Sequence, residues 1–335
     1  MELFWFSTIA VLWIGYFVLE GFDFGVGMLL PILDGDPAES PDRRRVMLTT
    51  IGPHWDGNEV WLITAGGAIF AAFPHWYATL FSGFYIPLLL VLVALIMRGV
   101  ALEYRPKRSD EAWRRWCDAG IMIGSWVPAF VWGVAFTNIV VGVPIDADME
   151  YVGGLLGLFN PLALLGGIAM AVLCLFHGAL FLALKTGGAL HHAARRAARR
   201  LGIPAVGLVA VWLLTVLSQR SSTGAWVLFA IAAVALVLSV LLAGGRERPA
   251  FLASCVAIAM GVASLFAALF PDVMPSTLDP AWSLTHLNAA SSPLTLRIMT
   301  GAAGVITPVV LLYTGYTYWV FRRRISVEDL AEAHG

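Results

Sequence analysis

Long apolar runs alternate along the chain with short breaks that are polar or rich in Gly and Pro. Runs long enough to cross a bilayer as helices fall at about 3–31, 47–73, 77–101, 118–143, 157–184, 201–219, 224–244, 250–270 and 299–321. The pattern predicts an all-α, polytopic integral membrane protein with about nine transmembrane helices in a single membrane-embedded domain, 1–335. The narrowest break, near 220–223, is long enough only for a tight turn. The loops leave no room for a soluble domain, and no internal repeat is evident. The break from Pro271 to Pro293 reads as an ordered surface loop with a helix cap at Ser291 or Ser292.

Composition agrees with this class. Hydrophobic residues make up 59% of the chain and charged residues 13%, about half the charged share of a soluble domain. A net charge of −1 and the lack of long basic or acidic runs argue against a nucleic-acid partner. Cys117, Cys174 and Cys255 form neither a disulfide framework nor a metal-ligand spacing. The first run lacks a basic n-region and is far longer than a signal-peptide core, so it is expected to be a retained helix. If the N-terminus is outside, eighteen of the 21 Lys and Arg fall on the inner side, as the positive-inside rule requires. Eight or ten spans would break that alternation. Nine place the C-terminus in the cytoplasm, with Trp76, Tyr77, Trp113 and Trp116 as interface anchors.

The candidate chemistry lies in five charged residues within the spans: Glu20, Asp23, Asp56, Glu59 and Arg98. All are on the first three predicted helices. Each would cost roughly 2.5–3.5 kcal/mol at a helix centre, so each should face protein or water and find a partner. Their depths converge on the inner half of the membrane, opening toward the cytoplasm. Four acids against one base favour protonation of some of them, as a proton relay requires. Asp56 and Glu59 are three apart and should share a helix face with Gly52 and Gly66, where another helix could come close. Gly21-Phe22-Asp23-Phe24-Gly25 offers a small-xxx-small spacing for close approach beside Asp23.

Structural readings stand beside these. Arg98 could snorkel to the inner surface, and Glu59 could serve only as a hydrogen-bonding group; Asp23 and Asp56 are too short to snorkel far. His54 and Asn58 flank the second pair of acids, and Trp55 reads as packing beside them. His54 or His177 could ligate a haem iron, but a lone intramembrane His more often bonds a neighbouring helix. His191 and His192 read as solvated. There is no Cys-x-x-Cys-His, P-loop, dinucleotide fingerprint or metal motif.

Three stretches together carry a resemblance. Glu20-Gly21-Phe22-Asp23-Phe24-Gly25, then Gly52-Pro53-His54-Trp55-Asp56-Gly57-Asn58-Glu59-Val60-Trp61-Leu62, and the outer pattern Ser283 to Leu296 resemble subunit II of the cytochrome bd-type quinol oxidases, over essentially the whole chain. The resemblance implies a bacterial cytoplasmic-membrane enzyme that oxidises quinol and reduces dioxygen to water, drawing protons from the cytoplasm. It implies that a larger subunit I holds haem b, haem d and the quinol site, so no catalytic group or metal is expected on this chain. Subunit II then helps complete the proton path. The family's path acids carry over onto Asp23 and Asp56; Glu20, Glu59 and Arg98 join them as neighbours on depth and charge. Small accessory subunits, membrane lipid and quinone are further possible partners.

Two other functions fit the residues alone. A proton-coupled secondary transporter would use the acidic cluster as its coupling site, with a midplane cavity and discontinuous helices. A haem-binding anchor would need His54 and His177 to face each other.

Overall fold

A computed structural model describes residues 1–35 and 40–326; residues 327–335 of the expected domain lie outside the described residues. The described residues are mainly helical: α1 (Glu2–Leu29), α2 (Ser40–Ile51), α3 (Trp55–Ala72), α4 (Pro74–Gly83), α5 (Tyr85–Tyr104), α6 (Glu111–Val141), the single turn α7 (Gly154–Gly157), α8 (Pro161–Lys185), α9 (Gly188–Gln219), α10 (Thr223–Leu242), α11 (Glu247–Leu269) and α12 (Pro293–Val320). Among the described residues eight helices are long and apolar enough to cross a membrane. The expected second span is absent from that set. Its helix α3 has 18 residues, about 27 Å at 1.5 Å per residue, but Asp56, Asn58 and Glu59 load its first turns with polarity.

Local chemistry sets the boundaries. Asp110, Asn160, Ser222 and Ser292 each accept a bond from a first-turn backbone N–H, capping α6, α8, α10 and α12. Ser292, one of the two expected caps, is therefore the one that starts α12, while Ser291 bonds back to the carbonyls of Ala71 and Ala72. Two expected spans are broken. The run 47–73 splits at Gly52-Pro53-His54 into α2 and α3, and 77–101 splits at Phe84 into α4 and α5. Pro87 has no N–H to give to the Gly83 carbonyl, which weakens helical continuity at this point. Conversely, α9 begins at Gly188, well before the expected 201, and takes the basic segment that precedes the expected span into its first turns.

Packing is centred on α1, which touches α3, α6, α8 and α11. A close backbone approach is made at Gly25. A Cβ there would lie 2.1 Å from the Cys174 carbonyl oxygen and 2.7 Å from Gly178 Cα, so α1 and α8 meet backbone to backbone. Close approach beside Asp23 is thus real. At Gly66 it is not: no atom lies within 4 Å of a Cβ there, and Gly52 meets only carbonyls of its own helix. Gly66 and Gly67 instead line an apolar crevice of about 590 Å³ walled by Phe70, Tyr77, Phe81 and Leu88. His191 is half-buried rather than solvated, its Nδ1 2.8 Å from the Ala183 carbonyl oxygen.

The loop after α11 forms a short antiparallel pair, β1 (Asp272–Met274) with β2 (Leu284–Thr285). It is tied to the segment after α6 by Val143 N–H to Pro275 O (3.1 Å), Thr277 N–H to Val143 O (3.0 Å) and Ser276 Oγ to Ile145 O (2.6 Å).

Candidate functional site

Four helices converge on one buried polar cluster. α1 supplies Glu20 and Asp23, one turn apart; α3 supplies Asn58 and Glu59; α5 supplies Arg98; and α12 supplies Tyr318. Glu20, Asp23 and Arg98 have no solvent exposure. Arg98 Nη1 donates to Glu20 Oε1 and sits 3.4 Å from Glu59 Oε1, with its guanidinium 5.0 Å from the ring centroid of Phe24. Arg98 does not snorkel to the surface as one reading expected: its side chain is fully buried and bonded to Glu20.

Asn58 Nδ2 donates to Asp23 Oδ2 at 2.6 Å and reaches the Leu19 carbonyl at 3.4 Å, while its Oδ1 accepts from the Tyr318 hydroxyl at 2.9 Å. Helix packing holds this arrangement in place. Gly124 of α6 has no room for a Cβ, which would lie 2.5 Å from Arg98 Cβ. Tyr16, one turn before Glu20, accepts from Trp132 Nε1 at 3.1 Å. Several buried polar atoms make no bond to protein: Glu20 Oε2, Asp23 Oδ1, and Arg98 Nε and Nη2. Buried groups of this kind are costly unless satisfied.

Asp56 does not join the cluster. It is exposed, its Oδ1 accepting only the neighbouring Gly57 N–H at 2.8 Å. Residues three apart on a helix differ by about 60° in direction, enough for Glu59 to turn inward to Arg98 while Asp56 turns outward. The shared face expected of the pair is therefore divided. Trp55 lies against α5, its ring 3.1 Å from where a Cβ on Gly99 would sit. His54 is buried and stacks on Tyr318, with centroids 4.2 Å apart and planes 1° from parallel; its Nδ1 has no partner.

His177 lies elsewhere, on α8, with Nδ1 2.8 Å from Ser254 Oγ and Nε2 3.0 Å from the Val18 carbonyl. Both ring nitrogens are engaged by neighbouring helices, which leaves neither for a metal. The candidate haem ligand His177 therefore has no free ring nitrogen to offer an iron. Among the described residues, no group of three or more His, Cys, Asp or Glu could hold a metal ion.

Sequence reasoning missed two features. Tyr318 is 260 residues from Asn58, and a Tyr near a helix end reads as an interface anchor. The second is an ion cluster at the predicted inner ends of the helices. Arg44 pairs with Asp34 and with Asp118 (2.9 Å), and Asp118 pairs with Arg105 (2.5 Å). These residues entered the sequence reading only through their charge, since nothing in their spacing joins four elements.

The sequence model of cytochrome bd terminal oxidase subunit II matches residues 1–321. The chain belongs to that family. It is similar to cytochrome bd ubiquinol oxidase subunit 2 of Bacillus subtilis, 41% identical over 331 residues that cover 97% of each chain. It is 39% identical to the bd-I subunit 2 of Escherichia coli K12, covering 98% of this chain and 96% of that one. A chain in the structure of bd oxidase from Geobacillus thermodenitrificans shares the fold, with a TM-score of 0.74 at 18% identity, covering 95% of this chain and 96% of that one. As a bd oxidase subunit II, the chain is a multi-pass protein of the bacterial cytoplasmic membrane and part of a quinol oxidase that works with a subunit I. The family implies haem and quinol use by the oxidase as a whole. Nothing in the fold favours the transporter.

Proposed function

We propose that this subunit carries protons from the cytoplasm toward the oxygen-reducing centre of its partner. The observation that supports this is the buried group of Glu20, Asp23 and Arg98, with the partly exposed Glu59 at its edge, in which Glu20 Oε2, Asp23 Oδ1 and Arg98 Nε and Nη2 keep hydrogen-bonding capacity to spare. Glu20 and Glu59 share one guanidinium there, Asp23 lies one turn from Glu20, and a fourth acid, Asp56, is on the surface of the same helix as Glu59. In this reading Asp56 collects the proton, Glu59 receives it, and Glu20 and Asp23 carry it inward, with Arg98 limiting the negative charge. Trp55 and His54 pack beside the path, and Asn58 holds Asp23.

On the same reading α3 is the ninth span, the N-terminus is outside and the C-terminus cytoplasmic. Haem b and haem d belong to the larger subunit I, consistent with the engaged nitrogens of His177. The apolar walls of the crevice between α3 and α5 suit the hydrocarbon chain of a lipid or quinone, and small accessory subunits would sit on lipid-facing surface.

The test is to purify the complex in mild detergent through a tag on this chain, then record a reduced-minus-oxidised spectrum and quinol-driven oxygen uptake. With Asp23→Asn the haem bands and subunit I should be retained while uptake falls. Uptake per haem equal to wild type would remove Asp23 from the path.

A further inference from the structure

α12 is held mainly at its two ends. Near its start, Trp5 Nε1 donates to Thr300 Oγ1 (3.1 Å) and approaches the Leu296 carbonyl (3.4 Å). Its middle is exposed at Val305, Ile306, Val309 and Leu312. Beyond its far end, Lys185 Nζ donates to the carbonyls of Phe321 and Arg323 (3.2 Å for the latter). Ile325 N–H donates to Lys185 O at 2.8 Å, and Gly187 N–H to Ile325 O at 3.1 Å. A helix with so little lateral packing is fixed in azimuth by its end contacts, and the one that enters the acidic cluster is Tyr318.

The hydroxyl of Tyr318 donates to Asn58 Oδ1. The other end of that amide faces the Leu19 carbonyl, which can only accept, and the Asp23 carboxyl. The NH₂ group must therefore lie on the Leu19 and Asp23 side, leaving Oδ1 for a donor. Tyr318 is that donor, and the parallel stack with His54 holds its ring where the hydroxyl reaches. Without the hydroxyl, Asn58 Oδ1 becomes a buried acceptor with no donor, so one of the amide's two anchors is lost and its hold on Asp23 loosens.

We infer that Tyr318 is a positioning residue of the proton path: through Asn58 it fixes the Asp23 carboxyl, and so makes the last helix a latch on the acidic cluster. This rests on the proton-path reading for its effect on turnover, while the orientation of Asp23 can be measured without it.

The experiment uses the whole detergent-purified oxidase carrying Tyr318→Phe, which keeps the ring and its stack on His54. Infrared difference spectroscopy, with the Asp23 carboxyl band identified by its loss in Asp23→Asn, reads the positioning; oxygen uptake per haem reads the consequence. The expected result is a shifted Asp23 band, unchanged haem content and uptake lowered about fivefold, the scale of one net hydrogen bond. In an Asn58→Leu background the same substitution should add nothing, because the hydroxyl acts through the amide. An unmoved Asp23 band, or an equal further loss in the Asn58→Leu background, overturns the inference. A moved band with normal uptake in Tyr318→Phe but slowed uptake in Asp23→Asn overturns the latch and leaves the path intact. Normal uptake in both, with the band moved, keeps the positioning and overturns the path.

Discussion

Arg98 on α5 donates to the carboxylate of Glu20 on α1, and neither side chain is exposed. A guanidinium at this depth is tolerable only because a counter-charge meets it, and Glu59 at 3.4 Å adds a second. The pair also joins two helices across the subunit, making it both structural and electrostatic. Breaking it from one side should be far worse than removing it whole.

That asymmetry is testable. Arg98→Met strands the Glu20 carboxylate, and the expected cost is about 3–5 kcal/mol, seen as a lower unfolding temperature and poor recovery of the complex in detergent. The double variant Glu20→Gln with Arg98→Met should regain most of the lost stability while uptake stays impaired. Equal instability in the single and double variants would mean that the arginine matters for its packing on Phe24 instead.

Asp56→Asn removes a charge that touches no other side chain in the chain's cluster. Stability, haem content and association with subunit I should remain at wild-type levels, since surface substitutions of this kind fall within about 0.5 kcal/mol. Oxygen uptake should slow, by severalfold at saturating quinol. Lost haem with unchanged turnover per haem would make Asp56 an assembly residue.

Much of this site was legible because lipid makes charge conspicuous. Glu20, Asp23, Glu59 and Arg98 stood out among apolar neighbours, and the cost of burying each one forced a search for partners. Which of them meet was harder to read. Asp56 and Glu59 look equivalent by spacing, yet a rotation of one partial turn sends one to Arg98 and the other outward. Tyr318 was invisible because pairing with Asn58 depends on where the last helix docks, and that docking rests on end contacts rather than an apolar stripe. The helix breaks at Gly52-Pro53-His54 and Phe84 were hidden for another reason. Hydropathy measures greasiness and passes over the missing Pro87 donor.

His177 offers a direct check on where the oxidase keeps its haem ligands. Both of its ring nitrogens bond within the subunit, to Ser254 and Val18. His177→Gln should leave the position and amount of every haem band unchanged, with a stability loss of about 1–3 kcal/mol from the unpaired groups. Loss or displacement of one haem band would show that the ring ligates iron and that the bonds to Ser254 and Val18 are not the working arrangement.

The glycines give the sharpest contrast between what spacing suggests and what packing demands. At Gly25 a methyl group would lie 2.1 Å from the backbone oxygen of Cys174, and at Gly178 one would lie 2.5 Å from the Gly25 carbonyl carbon. Backbone cannot step aside as a flexible side chain can, so α1 and α8 would have to separate. Gly25→Ala should therefore disturb Glu20 and Asp23, which sit on the same stretch of α1, and lower both the yield of assembled oxidase and its uptake per haem. Gly66→Ala, on a helix just as central to the sequence motif, meets no atom within 4 Å. It should be stabilising or neutral, because alanine is the better helix former by roughly 1 kcal/mol. Thermal unfolding of the two variants side by side decides the matter: comparable losses in both would mean that the crevice beside Gly66 closes in the assembled oxidase, and that α3 packs there against another surface.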